Sequence, residues 1–408
     1  MTPVAAFDPG RLGVDGDPYA ELAALRAAGP VVRSDGGAWC VTGYDAVMEA
    51  LRHPLAASGP IAQFYVAALP PGAARDEMSN RINFLDPPDH PRVRGIVNKA
   101  FTPRRIGDLR PFAERTAASL LDAVSGRDDF DVVGEFAHQL PSLVISEMLG
   151  VPPADRGQLT AWSDDVAALL AVSVSGDEMV AALAAAEEFS GYLADLIEDR
   201  KARPADDLLT ALIEAEEDGQ RLRRVELISL AATLYSAGHR TTRDLFGNGV
   251  SVLARRPDVV DAIADGSLPL RAVVTEFLRF EPPTLFIGRV ASGPLELAGQ
   301  AIAAGEPLLL YLAAANRDPE AFDHADAFRP ARYLDASTPA PLSFAFGAHY
   351  CLGASLAKME AEVMLGSLLD RFGTVEAATD DLEWRQRGPF RSLRELRITT
   401  RHLSLIHI

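Results

Sequence analysis

The sequence predicts a mainly α-helical fold with small β-sheets, and three observations support that prediction. Apolar residues recur at three- and four-residue spacing over most of the chain, as they do on one face of a helix. One such segment, Leu222–Arg256, ends only at Pro257 and would be about 50 Å long at 1.5 Å per residue. Strand-like segments, in contrast, are short and clustered. Hydrophobic residues make up 48% of the 408 residues, which is enough for a large buried core.

Polar residues, Gly and Pro interrupt the apolar pattern and set the expected bounds of each helix. The expected helices are Pro18–Ala28, Tyr44–Arg52, Asp89–Lys99, Pro103–Val124, Glu135–Leu149, Pro153–Leu170, Asp177–Lys201, Asp206–Glu216, Leu222–Arg256, Pro269–Phe280 and Gly353–Phe372. The expected strands are Val31–Arg33, Trp39–Thr42, Thr284–Ala291, Leu295–Leu297, Ala301–Ile302 and Pro307–Tyr311. Between the last strand and the last helix, Ala313–Tyr350 has little periodicity. So long a coil is rare in a compact domain unless it is functional.

We expect residues 1–402 to form a single domain, because no Ser/Gly-rich or Pro-rich stretch divides the chain. Residues 403–408 (LSLIHI) read like translated sequencing-adapter DNA, and we interpret them as a non-native tail. The first residues lack the charged and apolar regions of a signal peptide, and no apolar run reaches the roughly 18 residues of a spanning helix. We therefore expect a monomeric cytoplasmic protein that neither spans nor anchors to a membrane.

Charge and cysteine content exclude further classes. The net charge of −18 argues against a protein that wraps nucleic acid or coats anionic membranes. The two cysteines, Cys40 and Cys351, are too few for a disulfide framework. Cys40 lies in an expected strand, and we interpret it as an inert packing residue.

The segment FAFGAHYCLG places Cys351 just before an expected helix and between Gly347 and Gly353. Backbone N–H groups and the positive end of the helix dipole favour a thiolate over a thiol at such a place. The glycines allow the backbone to approach a flat cofactor closely. A thiolate held in this way can ligate haem iron, whereas a lone cysteine of this kind is otherwise a buried structural residue.

This segment resembles the cysteine-ligand loop of the cytochrome P450 family. The residues that fall on that family's F-x-x-G-x-H-x-C-x-G pattern are Phe344, Gly347, His349, Cys351 and Gly353. Ala345 departs from it, since many members have Gly there. The resemblance extends from about residue 17 to residue 400. It implies the cytochrome P450 fold, with a long central helix over a haem b whose iron is bound by Cys351.

Two further groups of residues match the family. Glu276 and Arg279 lie three residues apart on one face of an expected helix. The resemblance implies that they form a buried triad with Arg332, which locks the long coil behind the cysteine loop and serves folding rather than catalysis. The resemblance also implies that the cofactor is bound by His90, Arg94, Arg289, His349, Phe344 and Gly353. Among these residues, the histidines and arginines bind the haem propionates.

The centre of the long helix reads Ala237-Gly238-His239-Arg240-Thr241, which resembles the family's A-G-x-[DE]-T oxygen-binding groove. The small Ala237 and Gly238 leave space for dioxygen beside the helix. The Thr241 hydroxyl can bond backward to the helix backbone and open a local bulge. We predict that Thr241 aids proton delivery to the oxygen.

Arg240 departs from the family, which usually has an acid there to relay protons. Arginine stays protonated and cannot act as that relay. Three interpretations remain open: Arg240 pairs with a carboxylate on another helix and organises water, it binds an acidic group of the substrate, or altered proton supply allows the use of peroxide. We interpret His239 as a packing residue rather than a ligand.

The sequence also indicates surfaces for the substrate and for a protein partner. The expected walls of the substrate pocket are Ala56–Asn83, Ala168–Val174, Leu230–Tyr235, Pro283–Ile287 and Phe390–Ser392. They are apolar with a few hydroxyls, which implies that the substrate is a hydrophobic small molecule, for example a natural-product intermediate. A cluster of basic residues consists of Lys99, Arg104, Arg105, Arg110 and Arg115, and Lys358 could extend it. This cluster is either a solvated helix face or the docking site of an acidic ferredoxin.

The sequence therefore predicts a haem-thiolate monooxygenase that inserts one oxygen atom from O2. Its electrons would come from NAD(P)H through ferredoxin reductase and ferredoxin. Two alternatives remain: a peroxide-driven peroxygenase on the same fold, and a haem-binding sensor without turnover.

Overall fold

The computed structural model describes residues 12, 17–170, 176–217 and 219–399. Most of this chain is helical. The helices are α1 (Pro18–Ala28), α2 (Tyr44–Arg52), α3 (Gly59–Val66), α4 (Ala73–Ser79), α5 (Asp89–Ala100), α6 (Pro103–Val124), α7 (Gln139–Leu149), α8 (Arg156–Val166), α9 (Gly176–Ala202), α10 (Leu208–Glu214), α11 (Arg224–Leu253), α12 (Pro257–Ala264), α13 (Leu270–Phe280), α14 (Leu312–Ala315) and α15 (Ala354–Phe372).

The strands are short. They are β1 (Val31–Arg33), β2 (Trp39–Val41), β3 (Ala56–Ala57), β4 (Asp129–Asp131), β5 (Ile287–Ala291), β6 (Leu295–Leu297), β7 (Gln300–Ile302), β8 (Pro307–Leu310), β9 (Trp384–Arg387), β10 (Phe390–Leu393) and β11 (Arg397–Thr399). Five of them form one sheet in the order β1-β2-β8-β5-β3, in which β2 and β8 are parallel. The others form antiparallel pairs: β6 with β7, β9 with β10, and β4 with β11.

Helix α11 lies at the centre of the core. Residues 229–236 are all buried, as the apolar residues around this helix predict. It packs against α7, α9, α13 and α15. The contact with α13 depends on Gly249, because a Cβ atom there would lie 2.3 Å from the ring of Phe277. The middle of α11 is therefore fixed in position by helices that pack on several of its sides.

Several expected bounds were wrong, for identifiable reasons. The helix expected at Glu135–Leu149 is a π-helical turn at Val132–Ala137 followed by α7. The turn begins early because the Asp131 carboxylate accepts hydrogen bonds from the N–H groups of Val133 and Gly134. The helix expected at Pro153–Leu170 is α8 flanked by two 3-10 turns. The strand expected from Thr284 begins only at Ile287.

Other elements were not predicted. Helices α3 and α4 lie within the segment that we expected to connect two helices, and α12 follows α11 directly. Strand β4 pairs with β11 across more than half of the chain, with Asp131 opposite Arg397. In the described part of the chain, no helix is both long and apolar enough to cross a membrane.

Candidate active site

The cysteine loop consists of two 3-10 turns, Leu342–Phe344 and Gly347–His349, that lead into α15. The backbone N–H of Cys351 donates to the carbonyl oxygen of Phe344 at 2.9 Å and closes the loop. Gly347 has a φ of +74°, and a Cβ atom there would lie 3.0 Å from the carbonyl oxygen of Leu51. The glycine therefore lets the loop rest against the end of α2. At Gly353, a Cβ atom would meet no described atom within 4 Å, so a flat group can approach the backbone there.

The thiol of Cys351 is accessible, yet protein surrounds it closely enough to affect its ionisation. Burial raises its pKa, while the N–H groups of Gly353 and Ala354 and the charge of Arg94 act in the opposite direction. The expected thiolate is thus only partly supported by the protein. A metal cation bound to the sulfur would provide the remaining stabilisation of the charged form.

Four basic side chains gather near this loop. Helix α5 contributes His90 and Arg94, strand β5 contributes Arg289, and the cysteine loop contributes His349. The rings of His90 and His349 lie 4.0 Å apart between their centroids. The Arg289 guanidinium donates to the carbonyl oxygen of Gly288 at 2.8 Å. Three separate elements therefore bring these side chains together, as the resemblance implied.

The charges of the two arginines are poorly compensated, and the lowered pKa values of His90 and His349 favour their neutral imidazoles. Burial lowers the pKa of Arg289 to about 10, and burial together with His90, Arg289 and Arg94 lowers that of His349 to about 3. Among the described residues, none of the four side chains forms an ion pair with a carboxylate. Asp86 opposes the shifts at His90 and Arg289, but its carboxylate already accepts the N–H groups of Ser58 and Gly59. A ligand with two carboxylates, such as haem with its propionates, would fit this cluster.

One face of α11 is open in the middle of this otherwise buried helix. Ala237 is exposed although it follows a run of buried residues, and Thr241 one turn later is half-buried. The Thr241 hydroxyl donates to the carbonyl oxygen of Ala237 at 2.8 Å, which is the expected backward bond. The expected bulge is absent, since α11 continues as α-helix through this point. A carbonyl oxygen has two lone pairs, so it can accept the hydroxyl and still keep its helical hydrogen bond.

Arg240 contacts a carboxylate residue on another helix. Its Nη1 donates to the backbone oxygen of Asp164 in α8 at 3.2 Å and lies 4.0 Å from the side-chain Oδ1. Burial would raise the pKa of Asp164, but His239, His138 and Arg240 together lower it. The carboxylate is therefore charged at neutral pH. This geometry corresponds to the first of the three interpretations of Arg240.

Glu276, Arg279 and Arg332 also meet, at the back of the cysteine loop. The Arg279 guanidinium donates to both carboxylate oxygens of Glu276, at 2.7 and 2.8 Å, and both side chains are fully buried. The Arg332 Nε lies 3.3 Å from the same carboxylate. Arg279 also donates to the carbonyl oxygens of Asn316 and Ala325 in the long coil, at 2.9 and 2.6 Å. The three charges thus connect α13 to the coil.

Comparisons with known proteins agree with this geometry. The family model described as Cytochrome P450 matches residues 268–393. The chain is 38% identical to Cytochrome P450 107B1 of Saccharopolyspora erythraea over 375 residues, which cover 88% of each protein. The chain belongs to the cytochrome P450 family. It is also 33% identical to the Polyketide biosynthesis cytochrome P450 PksS of Bacillus subtilis over 368 residues, or 89% of each. The crystal structure of CalO2 superimposes with a TM-score of 0.91 at 31% identity, over 98% of this chain and 99% of CalO2.

The protein is therefore a cytochrome P450 monooxygenase of a bacterial family with relatives in natural-product biosynthesis. The family implies haem, and the residues present fit it: a thiol, a basic cluster without counter-charge, and a glycine that a flat group can approach. The fold class predicted from the sequence is confirmed.

On the substrate side of this P450, two of the expected pocket walls, Pro283–Ile287 and Phe390–Ser392, are hydrogen-bonded to each other. Thr284 and Phe390 form a β-bridge, and the backbone N–H of Arg391 donates to the carbonyl oxygen of Pro283 at 2.9 Å. In the expected wall Ala56–Asn83, helix α3 carries Phe64, which is 69% exposed, and Tyr65, which stacks on Phe84 at 5.7 Å. These aromatic side chains can contact an apolar molecule.

One residue of another expected wall packs inside the protein. Tyr235, in the expected wall Leu230–Tyr235, is fully buried and its hydroxyl lies 3.0 Å from the hydroxyls of both Ser146 and Thr160. It therefore packs between α7 and α8 instead of facing a substrate. Most of the wall expected at Ala168–Val174 lies outside the described residues, as does the tail at 403–408.

The expected basic cluster is largely neutralised. Lys99 pairs with Glu217 at 2.5 Å, Arg105 with Asp206 at 3.6 Å, and Arg110 with Glu362 at 3.4 Å. Arg104 lies 4.0 Å from Asp108. Lys358 lies next to the cysteine loop, with its ammonium 5.5 Å from the centre of the Phe344 ring. The surface is thus mixed in charge rather than uniformly basic, because carboxylates on other elements lie between its cations.

Three acids near the site were missed from the sequence. Asp86 faces the basic cluster, Asp164 contacts Arg240, and Glu360 in α15 is buried beside Thr242. Burial raises the pKa of Glu360 well above its usual value and so favours its neutral form. Nothing local marks Asp86 or Asp164, because their partners lie on other elements. Glu360 sits on the buried face of an amphipathic helix, which was a detectable signal.

Proposed function

We propose that this P450 inserts one oxygen atom from O2 into a hydrophobic small molecule, an intermediate of natural-product biosynthesis. Haem b bound through Cys351 would supply the iron chemistry, with electrons from NAD(P)H carried by ferredoxin reductase and ferredoxin. The observation that carries the proposal is the basic cluster beside the cysteine loop, whose four buried or half-buried side chains form no ion pair with a carboxylate among the described residues. The name of the relative PksS supports the substrate class.

Different residues of the chain would bind different parts of the cofactor. His90, Arg94, Arg289 and His349 would bind the propionates and so orient the cofactor. Phe344 and Gly353 would contact the cofactor on the cysteine side. The cysteine loop, α5 and β5 already hold these side chains in positions that suit these roles.

On the other side, Ala237 and Gly238 leave room for O2, and Thr241 positions the proton donor. Because the Thr241 hydroxyl hydrogen is donated to Ala237, its oxygen is free to accept a hydrogen bond from a water molecule. Arg240, held against Asp164, would order water near it without giving up a proton. Glu360, a buried acid whose pKa is raised by burial, would return protons to the Thr242 side of this helix.

The electron donor would dock on the cysteine side, in the cytoplasm. Lys358 lies beside the loop and interacts with Glu362, the same carboxylate that Arg110 approaches at 3.4 Å. Arg110 lies in α6 together with Arg104 and Arg115. Because several of these cations already have carboxylate neighbours, we expect docking to depend on a few charges and to weaken with salt.

A turnover experiment tests the proposal. The haem-loaded protein is screened against apolar natural-product scaffolds, and hits are incubated with a surrogate ferredoxin, its reductase, NADPH and O2. We expect hydroxylated or epoxidised product that carries one atom of labelled oxygen from ¹⁸O2. Product without label, or none from any ligand that binds, would contradict the monooxygenase assignment for this chain.

Peroxygenase activity is the second candidate, favoured by Arg240 in place of an acid. The same hits are incubated with hydrogen peroxide and no reductase. The contact between Arg240 and Asp164 favours the O2-dependent reaction, so we expect the peroxide rate to be the lower of the two. A peroxide rate above the ferredoxin-supported rate would reverse this order.

A further inference from the structure

Three potential metal ligands meet where α11 packs against α8. His138 follows the π-helical turn before α7, Asp164 lies in α8, and His239 lies in α11. One imidazole nitrogen from each histidine and one carboxylate oxygen all lie within 4.8 Å of one another. None of the three residues belongs to the cysteine loop, the basic cluster or the face that carries Ala237 and Thr241.

The orientation of His239 suits a ligand. Its Nδ1 lies 3.0 Å from the carbonyl oxygen of Tyr235, which can only accept, so Nδ1 carries a hydrogen. In the neutral ring the lone pair is then on Nε2, which faces Asp164 Oδ1 at 3.4 Å. A lone pair facing a carboxylate is unfavourable unless a proton or a cation lies between them. Metal-bound histidines typically donate the other ring N–H to a carbonyl or carboxylate in this way.

The distances favour a metal ion over direct hydrogen bonds. His138 Nε2 lies 3.5 Å from Asp164 Oδ2, and His239 Nε2 lies 3.4 Å from Oδ1. Charge-assisted hydrogen bonds are shorter, at about 2.7–2.9 Å. Ligands on a tetrahedral zinc ion, each about 2.0–2.1 Å from the metal, are about 3.3 Å apart. Both separations are close to that ligand–ligand spacing, with each histidine facing a different oxygen of the carboxylate.

We propose that His138, Asp164 and His239 bind a zinc ion, with water as the fourth ligand. Two imidazoles and one carboxylate form a donor set that zinc prefers, whereas Ca²⁺ and Mg²⁺ require mostly oxygen ligands. His138 and Asp164 are partly exposed, with 23% and 35% of their side-chain surface accessible, so an ion can enter from solvent. The interpretation of His239 as a packing residue is replaced by that of a ligand.

Charge around the site is balanced well enough for a cation. Arg240 lies 4.0 Å from Asp164 Oδ1, and this carboxylate separates its guanidinium from the proposed ion. A second carboxylate, that of the buried Asp244, interacts with both Arg240 and His239. This carboxylate also pairs with Arg243 at 2.7 Å, so the two acids and two arginines compensate one another. The zinc ion would join α7, α8 and α11 beside the helix segment that contains Thr241, and would hold Asp164 in place for Arg240.

Zinc binding to the haem-loaded enzyme tests the proposal directly. The protein is stripped with a chelator, dialysed against buffered Zn²⁺, and analysed for zinc and iron by elemental mass spectrometry. We expect one zinc per haem in the wild type. Asp164→Asn and His239→Gln should raise the zinc dissociation constant by more than about tenfold, since even outer-shell changes typically cost that much. Haem content reports whether each variant is folded.

His324→Gln is the matched control. His324 is exposed and lies 3.7 Å from Asp323, so it is a histidine–aspartate pair without a third ligand. This variant should keep the wild-type stoichiometry, and Zn²⁺ should raise its melting temperature as it does for the wild type but not for Asp164→Asn. If the wild type binds no zinc saturably, or if Asp164→Asn and His239→Gln bind it as tightly as the wild type, the site does not exist.

Discussion

Thr241 and Arg240 are neighbours in α11 but have different contacts. Thr241 is anchored to its own helix through Ala237, whereas Arg240 is anchored to α8 through Asp164. The hydroxyl therefore stays at the exposed face of α11 while the guanidinium is held by another helix. Proton positioning and charge organisation are thus assigned to separate side chains.

Replacing Thr241 by Ala should uncouple electron use from product formation. The positioned oxygen is lost, and placed proton donors typically contribute roughly 10²-fold or more. We expect product per NADPH to fall about tenfold or more while peroxide release rises. Thr275→Ala is the control, because Thr275 makes the same backward bond to Arg271 at 2.6 Å on an exposed face of α13. Unchanged coupling in Thr241→Ala would remove the proposed role.

Replacing Arg289 by Leu should act in opposite directions on the two forms of the protein. Without haem, removing a buried charge that lacks an ion pair should raise the melting temperature. With haem, the loss of a hydrogen bond to a charged group, about 1.5–3 kcal/mol, should weaken haem binding on the order of tenfold to a hundredfold. Haem transfer to apomyoglobin measures the second effect, with the exposed Arg104→Leu as control. A slower haem loss from Arg289→Leu would contradict propionate binding.

At the scale of elements, Glu276 and Arg279 connect helix α13 to a coil that has almost no regular structure of its own. Arg279 donates to both Glu276 oxygens and to backbone carbonyls of the coil. The coil keeps its path through these bonds because its own sequence lacks helical or strand periodicity. The cysteine loop lies at the end of this coil, so its position depends on the same contacts.

Glu276→Gln should destabilise the fold strongly. It leaves the Arg279 charge uncompensated in a fully buried site, and breaking a buried ion pair in this way typically costs about 3–5 kcal/mol. Urea unfolding of the haem-loaded protein measures the loss. Glu198→Gln is the control, because Glu198 pairs with Lys201 at the same i, i+3 spacing on the surface and should matter little. Equal effects of the two substitutions would contradict the role of the triad.

Helices α11 and α15 enclose a neutral acid, and stability should depend on pH because of it. Glu360 has a raised pKa in the folded protein, so the unfolded chain releases this proton first as pH rises above about 4.3. Stability from this group is therefore full at low pH and is lost as pH rises toward the folded-state pKa. Glu360→Gln should gain stability relative to the wild type between pH 5 and pH 8 in urea unfolding. A difference that does not change with pH would contradict the neutral carboxyl.

At the scale of the whole molecule, the sequence predicted α1 and α6, which have clear caps, and the strongly periodic α2 at their observed bounds. Thr102 shows why: its side chain accepts from the N–H of Arg105 and Pro103 follows, so both signals lie within four residues. The cysteine loop was equally readable, because its pattern is continuous in sequence.

What the sequence could not give were contacts between elements far apart in the chain. The pairing of β4 with β11 and the contact of Arg240 with Asp164 are set by packing, not by local pattern. The same holds for the carboxylates that neutralise the expected basic cluster, since Glu362 and Asp206 lie on other elements than Arg110 and Arg105. The proposed zinc ligands His138, Asp164 and His239 come from different elements, so no local sequence pattern predicts them for the same reason.

The central claim is that Cys351 binds the haem iron, and a carbon monoxide difference spectrum of the reduced protein tests it most directly. Cys40→Ala is the matched control, because Cys40 is the other cysteine of the chain and is fully buried in β2. We expect the wild type and Cys40→Ala to show the red-shifted Soret band of a thiolate-bound haem, and Cys351→Ala to lack it. A Cys351→Ala protein that keeps this band would contradict the account.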